Sequence, residues 1–476
     1  MNTTQRVGLL QRWSAVQEEL IPGLGEPEQT IAGHLEFALK HDGVDLCALR
    51  DVFLACGPAP VEEAIRARPT SRYTRLMGFF YELTTGRVLD PNLVVDGNYV
   101  EALSANDYLV SPSARRNRRW RVMDNLLGDG RYCPSIRRTA ALAAALSSPL
   151  QDELQGLVND FPPELFQRAS DYLYLKETRS TYGIEREAMP PADRAQRFVA
   201  LLRSAGEGTL HGLLSEAELV KRQNLIVDPR YAVPLFRLDQ NYVGEQRPDY
   251  GQRIHYACPP PQFVASLIAG LADSAERCAG LPAIARAAAV AFGFVFIHPF
   301  EDGNGRLHRF LIHDVLHRDG FVGRGVMVPV SATMLRRMPD YDAALERYSR
   351  PLLEGWVAYD LDQAGKMTIT NPDQVEGYYR FPDLTSQAEY LAKTVALSIR
   401  EDFAEELRFL RGYDAARKTI QQVIDMPDRR LDILLRLLHQ NGGRLAKAKR
   451  EQFAEVSDEE LGRIEKVFSE AFGAEG

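Results

Sequence analysis

The chain has 476 residues, 45% of them hydrophobic and 26% charged, a make-up that excludes wholesale disorder or a collagen-like fibre and leaves room for about three packed units. Its 57 Lys and Arg against 65 Asp and Glu leave a net charge of −8, with no global pull toward nucleic acid or anionic lipid. Five scattered cysteines without a CxxC pair argue against a disulfide framework or a zinc site and for a reducing cytoplasm.

From residue 1 to about 163, apolar residues recur at helical spacing, as in Leu9, Leu10, Trp13, Val16 and Leu20 and again in the Ala-rich stretch Thr139 to Leu146. This region is expected to be a helical N-terminal domain, and its first residues lack the apolar core of a signal peptide. Five arginines fall between Arg115 and Arg121; a solvated loop is favoured over a phosphate-binding patch there. Residues 164–363 open with a long amphipathic stretch that Pro190 and Pro191 end. Asn241 to Tyr256, with Gly244, Pro248 and Gly251 among aromatic and β-branched residues, reads as a hairpin. Residues 364–476 read as a helical C-terminal domain: Leu431 to Gln440 is apolar at helical spacing, and Ser457 with Glu460 forms a capping box. Its basic residues Arg444, Lys447, Lys449 and Arg450 favour an exposed face over a nucleic-acid contact. No apolar run reaches the roughly 20 residues a membrane helix needs, so no membrane partner is expected.

The chemistry concentrates in HPFEDGNGRLHR, His298 to Arg309. A lone histidine ending a greasy helix is ordinarily a packing or capping residue, but here a tight turn, Asp302, Gly303, Asn304 and Gly305, follows and leads into a helix. The free N–H groups at a helix start form an anion site. Arg306 and Arg309, three residues apart, share a face and repel unless an anion lies beside them. Asp302 adds a carboxylate of the kind Mg²⁺ takes alongside substrate phosphates. The parts suit phosphoryl-type transfer, with His298 as base. No GxxxxGK[ST] or strand-linked GxGxxG is present, and the His313/His317 pair, without an HExxH glutamate, reads as structural.

The same twelve residues resemble the signature of the Fic (filamentation induced by cyclic AMP) family, HxFx(D/E)GNGRxxR, at all eight specified positions. The resemblance implies a mainly α fold, the Fic helical core with a small β-hairpin flap, flanked by helical N- and C-terminal regions. It implies transfer of AMP from ATP to a Ser, Thr or Tyr hydroxyl of a target protein. In that reading His298 deprotonates the acceptor, Phe300 anchors the loop and Asp302 binds Mg²⁺. Gly303, Asn304, Gly305 and Arg306 cradle the α- and β-phosphates, and Arg309 holds the γ-phosphate. Thr181-Tyr-Gly-Ile-Glu185 resembles the family's inhibitory helix, placed before the core, with Glu185 competing with ATP for Arg309; Arg186 departs from the expected Gly or Asn. The stretch Asn241 to Tyr256 resembles the flap that docks the target segment, and Tyr341 resembles an aromatic of the nucleotide pocket, a core tyrosine being the equal alternative. Self-modification and oligomerisation are compatible with this reading. Removal of AMP from a modified protein at the same site, or a nucleic-acid-binding regulator, are the competing functions.

Overall fold

The computed structural model describes residues 3–6, 19–22, 26–246 and 252–473. It is mainly helical with only small sheets. Leu9, Leu10, Trp13 and Val16, expected on a first helix, lie outside the described residues, and Leu20 falls in a short strand, Glu19–Pro22, antiparallel to Thr3–Arg6.

Helices Ile31–His41, Leu46–Cys56, Ala59–Ala67 and Arg72–Thr85 enclose an N-terminal core around Phe53, Phe80 and Trp120. Side-chain caps begin three of them, Thr30, Asp45 and Ser71 each accepting a first-turn N–H. The region is not wholly helical: Val122–Asp124 pairs in parallel with Val100–Glu101 and antiparallel with Arg115–Asn117. The arginine run expected as a loop therefore contributes an edge strand. Arg119 donates to the Leu89 and Asp90 carbonyls at 2.8 and 3.0 Å and covers Trp120, while Arg116 and Arg121 lie over Tyr99.

The central core is built around Ala283–Ile297, in which every residue from Ile284 onward is buried. A helix apolar on all sides must be surrounded, and Pro261–Arg277, Asn304–Arg318 and Thr385–Leu397 pack around it. The central cluster also takes in residues on either side of the expected 164–363 span. Leu109, Leu127 and Leu142 join the central cluster from one side, and Leu384, Leu391, Phe403 and Leu407 from the other. Pattern alone could not show this, because the Thr385–Leu397 apolar face is covered by residues about a hundred positions earlier. A third core, with Leu431, Leu434, Leu435 and Leu438, lies between Ala404–Val423, Asp428–Gln440 and Asp458–Gly473. The capping box forms at the last of these: Ser457 N–H donates to Glu460 at 2.8 Å and Glu460 N–H to Ser457 Oγ at 3.2 Å. The five cysteines are free thiols, and no described helix is long and apolar enough to cross a membrane.

His308, fully buried, donates through Nδ1 to the Ala291 carbonyl, 2.8 Å away, tying the 304–318 helix to the 283–297 helix. Burial, helped by the nearby Arg309 charge, pushes its imidazole down to about 3. An unfolded chain binds that proton below about 6.5, so protons favour unfolding as pH falls from 6.5 toward 3. At pH 4.5 His308 alone is expected to remove about 2–3 kcal/mol of the stability present at neutrality. Denaturation midpoints measured against pH check this: H308Q should show a shallower loss between pH 6.5 and 4.5 than the parent.

Candidate active site

The turn that ends one central helix and begins the next brings the motif together. His298 caps Ala283–Ile297 in the left-handed region, φ 53° and ψ 60°, and its N–H bonds the Phe294 carbonyl. A non-glycine residue there costs about 1 kcal/mol or more, so neighbouring groups must hold it. The half-buried ring is fixed by Nδ1, 3.1 Å from the Val295 carbonyl. With Nδ1 donating, the lone pair is at Nε2. Burial first, and then the Arg237 charge, push this imidazole down to about 4, against the opposing pull of the Val295 hydrogen bond, Glu185 and Asp302. It is a neutral base at pH 7.

Two residues on, Phe300 is fully buried and meets Phe236 edge-on at 5.5 Å. Asn304, expected in the phosphate cradle, closes the turn with its side chain: its buried amide accepts from the Phe300 N–H at 3.1 Å and donates to the Phe300 carbonyl at 2.7 Å, while its backbone opens the following helix. Gly303 takes φ 90°, and a methyl group on it would stand 3.0 Å from Val227; Gln223 Nε2 holds the Asp302 carbonyl at 3.2 Å. No side chain caps the 304–318 helix, which leaves the N–H groups of its first turn for an anion.

Glu185, at the end of Pro163–Ile184, lies against the first turn of this helix. A methyl on Gly305 would stand 2.1 Å from the Glu185 carboxylate, so a side chain there would displace that carboxylate. Arg309, 1% exposed, donates through Nη2 to Glu185 at 2.5 Å and to the Thr181 carbonyl at 3.1 Å. Burial would raise the Glu185 carboxyl, but the Arg309 guanidinium, with Arg306 and His298, holds it below its usual range. Nε and Nη1 of Arg309 have no hydrogen-bond partner among the described residues. The Thr181 hydroxyl meets Ser331 Oγ at 2.9 Å, and Ser331 bonds Glu177, which also takes His313 Nε2 at 2.7 Å. That buried chain fixes the helix carrying Glu185 and gives His313 a structural role.

Arg306, expected in the phosphate cradle and 2% exposed, pairs with Asp302, lies 3.3 Å from Glu187 and stacks over Tyr182. The Asp302 carboxylate is therefore shared with a guanidinium. Among the described residues no cluster of three or more His, Cys, Asp or Glu could hold a metal by itself, so a metal would rely on Asp302 together with phosphate oxygens, the donor set that suits Mg²⁺.

Residues 213–316, which hold all of the 298–309 motif, match the model of the Fic/DOC family. The stretch is a Fic-family domain. The chain is 33% identical over 87 residues to protein adenylyltransferase fic-1 of Caenorhabditis briggsae, a match spanning 18% of this chain and only 15% of that protein's length. Its fold is similar to a Fic family protein from Desulfovibrio desulfuricans G20, 17% identical over 64% of this chain and 87% of the other with a TM-score of 0.38. A fragment of Fic-1 from C. elegans is 16% identical, covering 80% of this chain and all of the fragment, with a TM-score of 0.33.

In the Fic domain the expected hairpin forms, Tyr242–Gln246 against Gln252–Ala257, with a register shift at Val243/Gly244; residues 247–251 of that stretch lie outside the described residues. The Asn241 amide reaches the Phe300 carbonyl at 3.4 Å, joining the hairpin to the motif turn. Tyr341 is buried, its ring 6.2 Å from His308 and 6.0 Å from Tyr390.

Four participants carried no signal in the sequence reading. Gln223, Arg237 and Ser331 are distant in the chain, and Glu187 was overshadowed by Glu185. Arg186 departs from the expected Gly or Asn with a measurable consequence. Its N–H bonds the Gly183 carbonyl at 3.0 Å and the Glu187 N–H bonds the Tyr182 carbonyl at 3.1 Å, a Schellman end whose penultimate position requires left-handed backbone. Arg186 adopts it, at φ 57°. R186G is expected to raise stability by about 1 kcal/mol, read as an increase in denaturant midpoint.

Proposed function

We propose that this chain transfers AMP from ATP to a Ser, Thr or Tyr hydroxyl of a target protein, and that Glu185 holds the site shut. The observation that carries the reading is one combination: an imidazole fixed through Nδ1 ends one central helix, the next begins six residues on with no side-chain cap and carries two arginines, and a carboxylate from another helix pairs with the second of them.

The acceptor oxygen attacks the α-phosphorus of ATP, the bond from that phosphorus to the bridging oxygen breaks, and pyrophosphate leaves. His298 Nε2 accepts the acceptor's proton. N–H groups of the 304–318 helix start and the arginines neutralise charge on the phosphates, a preorganised form of electrostatic stabilisation. The unpartnered Nη1 of Arg309 shares a guanidinium edge with Nη2, so release of Glu185 frees that edge for bidentate capture of a phosphate. Mg²⁺ at Asp302 would neutralise phosphate charge and orient the leaving group. The hairpin Tyr242–Gln246/Gln252–Ala257 offers an edge on which an extended target segment adds as a strand.

Intact mass of purified E185G after exposure to ATP and Mg²⁺ tests the reading, with E185G/H298A as blank. Addition of one AMP to the chain or to an added target supports it. An absence of any adduct in self-modification and lysate labelling would overturn it. A parent chain that strips AMP from a modified protein, with that ability lost in E185G, would assign the site to hydrolysis instead.

A further inference from the structure

Arg237 lies outside the motif, on the segment between Glu216–Ile226 and the hairpin, and is 5% exposed. Its side chain donates to three backbone carbonyls: Nε to His298 at 2.7 Å, Nη1 to Asp239 at 3.0 Å and Nη2 to Pro259 at 2.6 Å. Its own N–H bonds the Pro299 carbonyl at 2.9 Å. One residue thus grips both peptide carbonyls of the motif turn's first two residues and ties them to the segment that starts Pro261–Arg277. Next to it, Phe236 packs on Phe300, so the grip and the loop anchor act on the same turn.

Three features of this arrangement matter for the imidazole. His298 occupies left-handed backbone that a non-glycine residue leaves unless its surroundings impose it. A buried guanidinium donating to carbonyls supplies that constraint, because its planar fork fixes the direction of each bond. Arg237 spends its donors on carbonyls rather than on an ion pair, with Glu301 as the carboxylate acting on it from a distance, so its charge bears on the ring.

We propose, on the basis of the AMP-transfer reading, that Arg237 is the positioning residue for His298: it holds the turn in its left-handed form and keeps the imidazole an oriented, neutral base. The groups facing that ring are Arg237 from the preceding segment, Glu185 from the 163–184 helix, and Asp302 from the motif itself. The two carboxylates favour protonation and Arg237 opposes it. Loss of Arg237 therefore lets the ring protonate at higher pH.

The experiment compares R237K and R237M in full-length E185G. The kcat of AMP transfer should fall about 10- to 100-fold in R237M, with KM for ATP changed by less than about 3-fold. The acid limb of the pH profile should move from near 4 toward the ordinary histidine value of about 6.5. R237K, which restores the charge without the three-way fork, should keep the low acid limb and recover part of kcat. Independently of catalysis, the His298 ring signal, assigned by its loss in H298A, is titrated by NMR in the same chains and in the parent. If E185G transfers no AMP, the functional reading fails while this titration still decides the role of Arg237. A folded R237M with the parent's His298 titration, or with an unchanged kcat, overturns the proposal. Two variants that both lose the parent's melting transition also overturn it, reducing Arg237 to a residue needed for folding alone.

Discussion

E185G is expected to transfer AMP about 10- to 100-fold faster than the parent chain. The Glu185 carboxylate takes Nη2 of Arg309 and lies against Gly305, so a nucleotide must displace a charge-assisted hydrogen bond worth about 1.5–3 kcal/mol. At about 1.4 kcal/mol per tenfold, its removal returns that range. Because Glu185 is held below the usual carboxylate range, it stays charged through neutral and mildly acid pH, and acidification to about pH 5 should not mimic the substitution. Glu187 acts on the other arginine, but its carboxylate is 40% exposed and Arg306 keeps Asp302. Such a pair contributes under about 1 kcal/mol, so E187Q should add about 5-fold or less to E185G. Initial rates with labelled ATP, together with ATP affinity by calorimetry, check both steps. An unchanged affinity in E185G would show that the carboxylate does not compete with the nucleotide.

H298A in the E185G background should lose about 10²- to 10⁴-fold in transfer rate, the range for removal of a positioned general base. ATP affinity should stay within about 3-fold, because the imidazole makes no contact assigned to phosphate and its Nδ1 is committed to Val295. In the parent site this base is neutral above pH about 4, so the transfer rate should be flat between pH 5.5 and 7.5 and fall only on the acid side. A rate that rises through pH 6.5 would mean that the ring titrates as an ordinary histidine and that its environment is not the one described.

Much of the site was legible because it is local. His298, Phe300, Asp302, Gly303, Gly305, Arg306 and Arg309 lie within twelve consecutive residues, and a helix of 3.6 residues per turn places Arg306 and Arg309 on one face by spacing alone. The Pro163–Ile184 helix and the Ser457/Glu460 box were legible for the same reason. That the Asn304 side chain closes the turn was not legible, because it depends on the Phe300 backbone being folded back to 2.7–3.1 Å from the amide. The short strands of the N-terminal region escaped notice because two- and three-residue strands carry too few positions to show alternation.

The order of residues alone determined the chemistry on offer: an imidazole, a carboxylate, two guanidinium groups and glycines where backbone must bend or a neighbour must approach. Those follow from bonds and from contacts a few residues apart. Tertiary structure decided which of them is engaged. It brought Glu185 from 124 positions away onto Arg309, set Glu187 beside Arg306 and placed the Arg237 fork under His298. Charges pair, and protons are lost or kept, according to distance and burial in space, and neither quantity is set by separation along the chain.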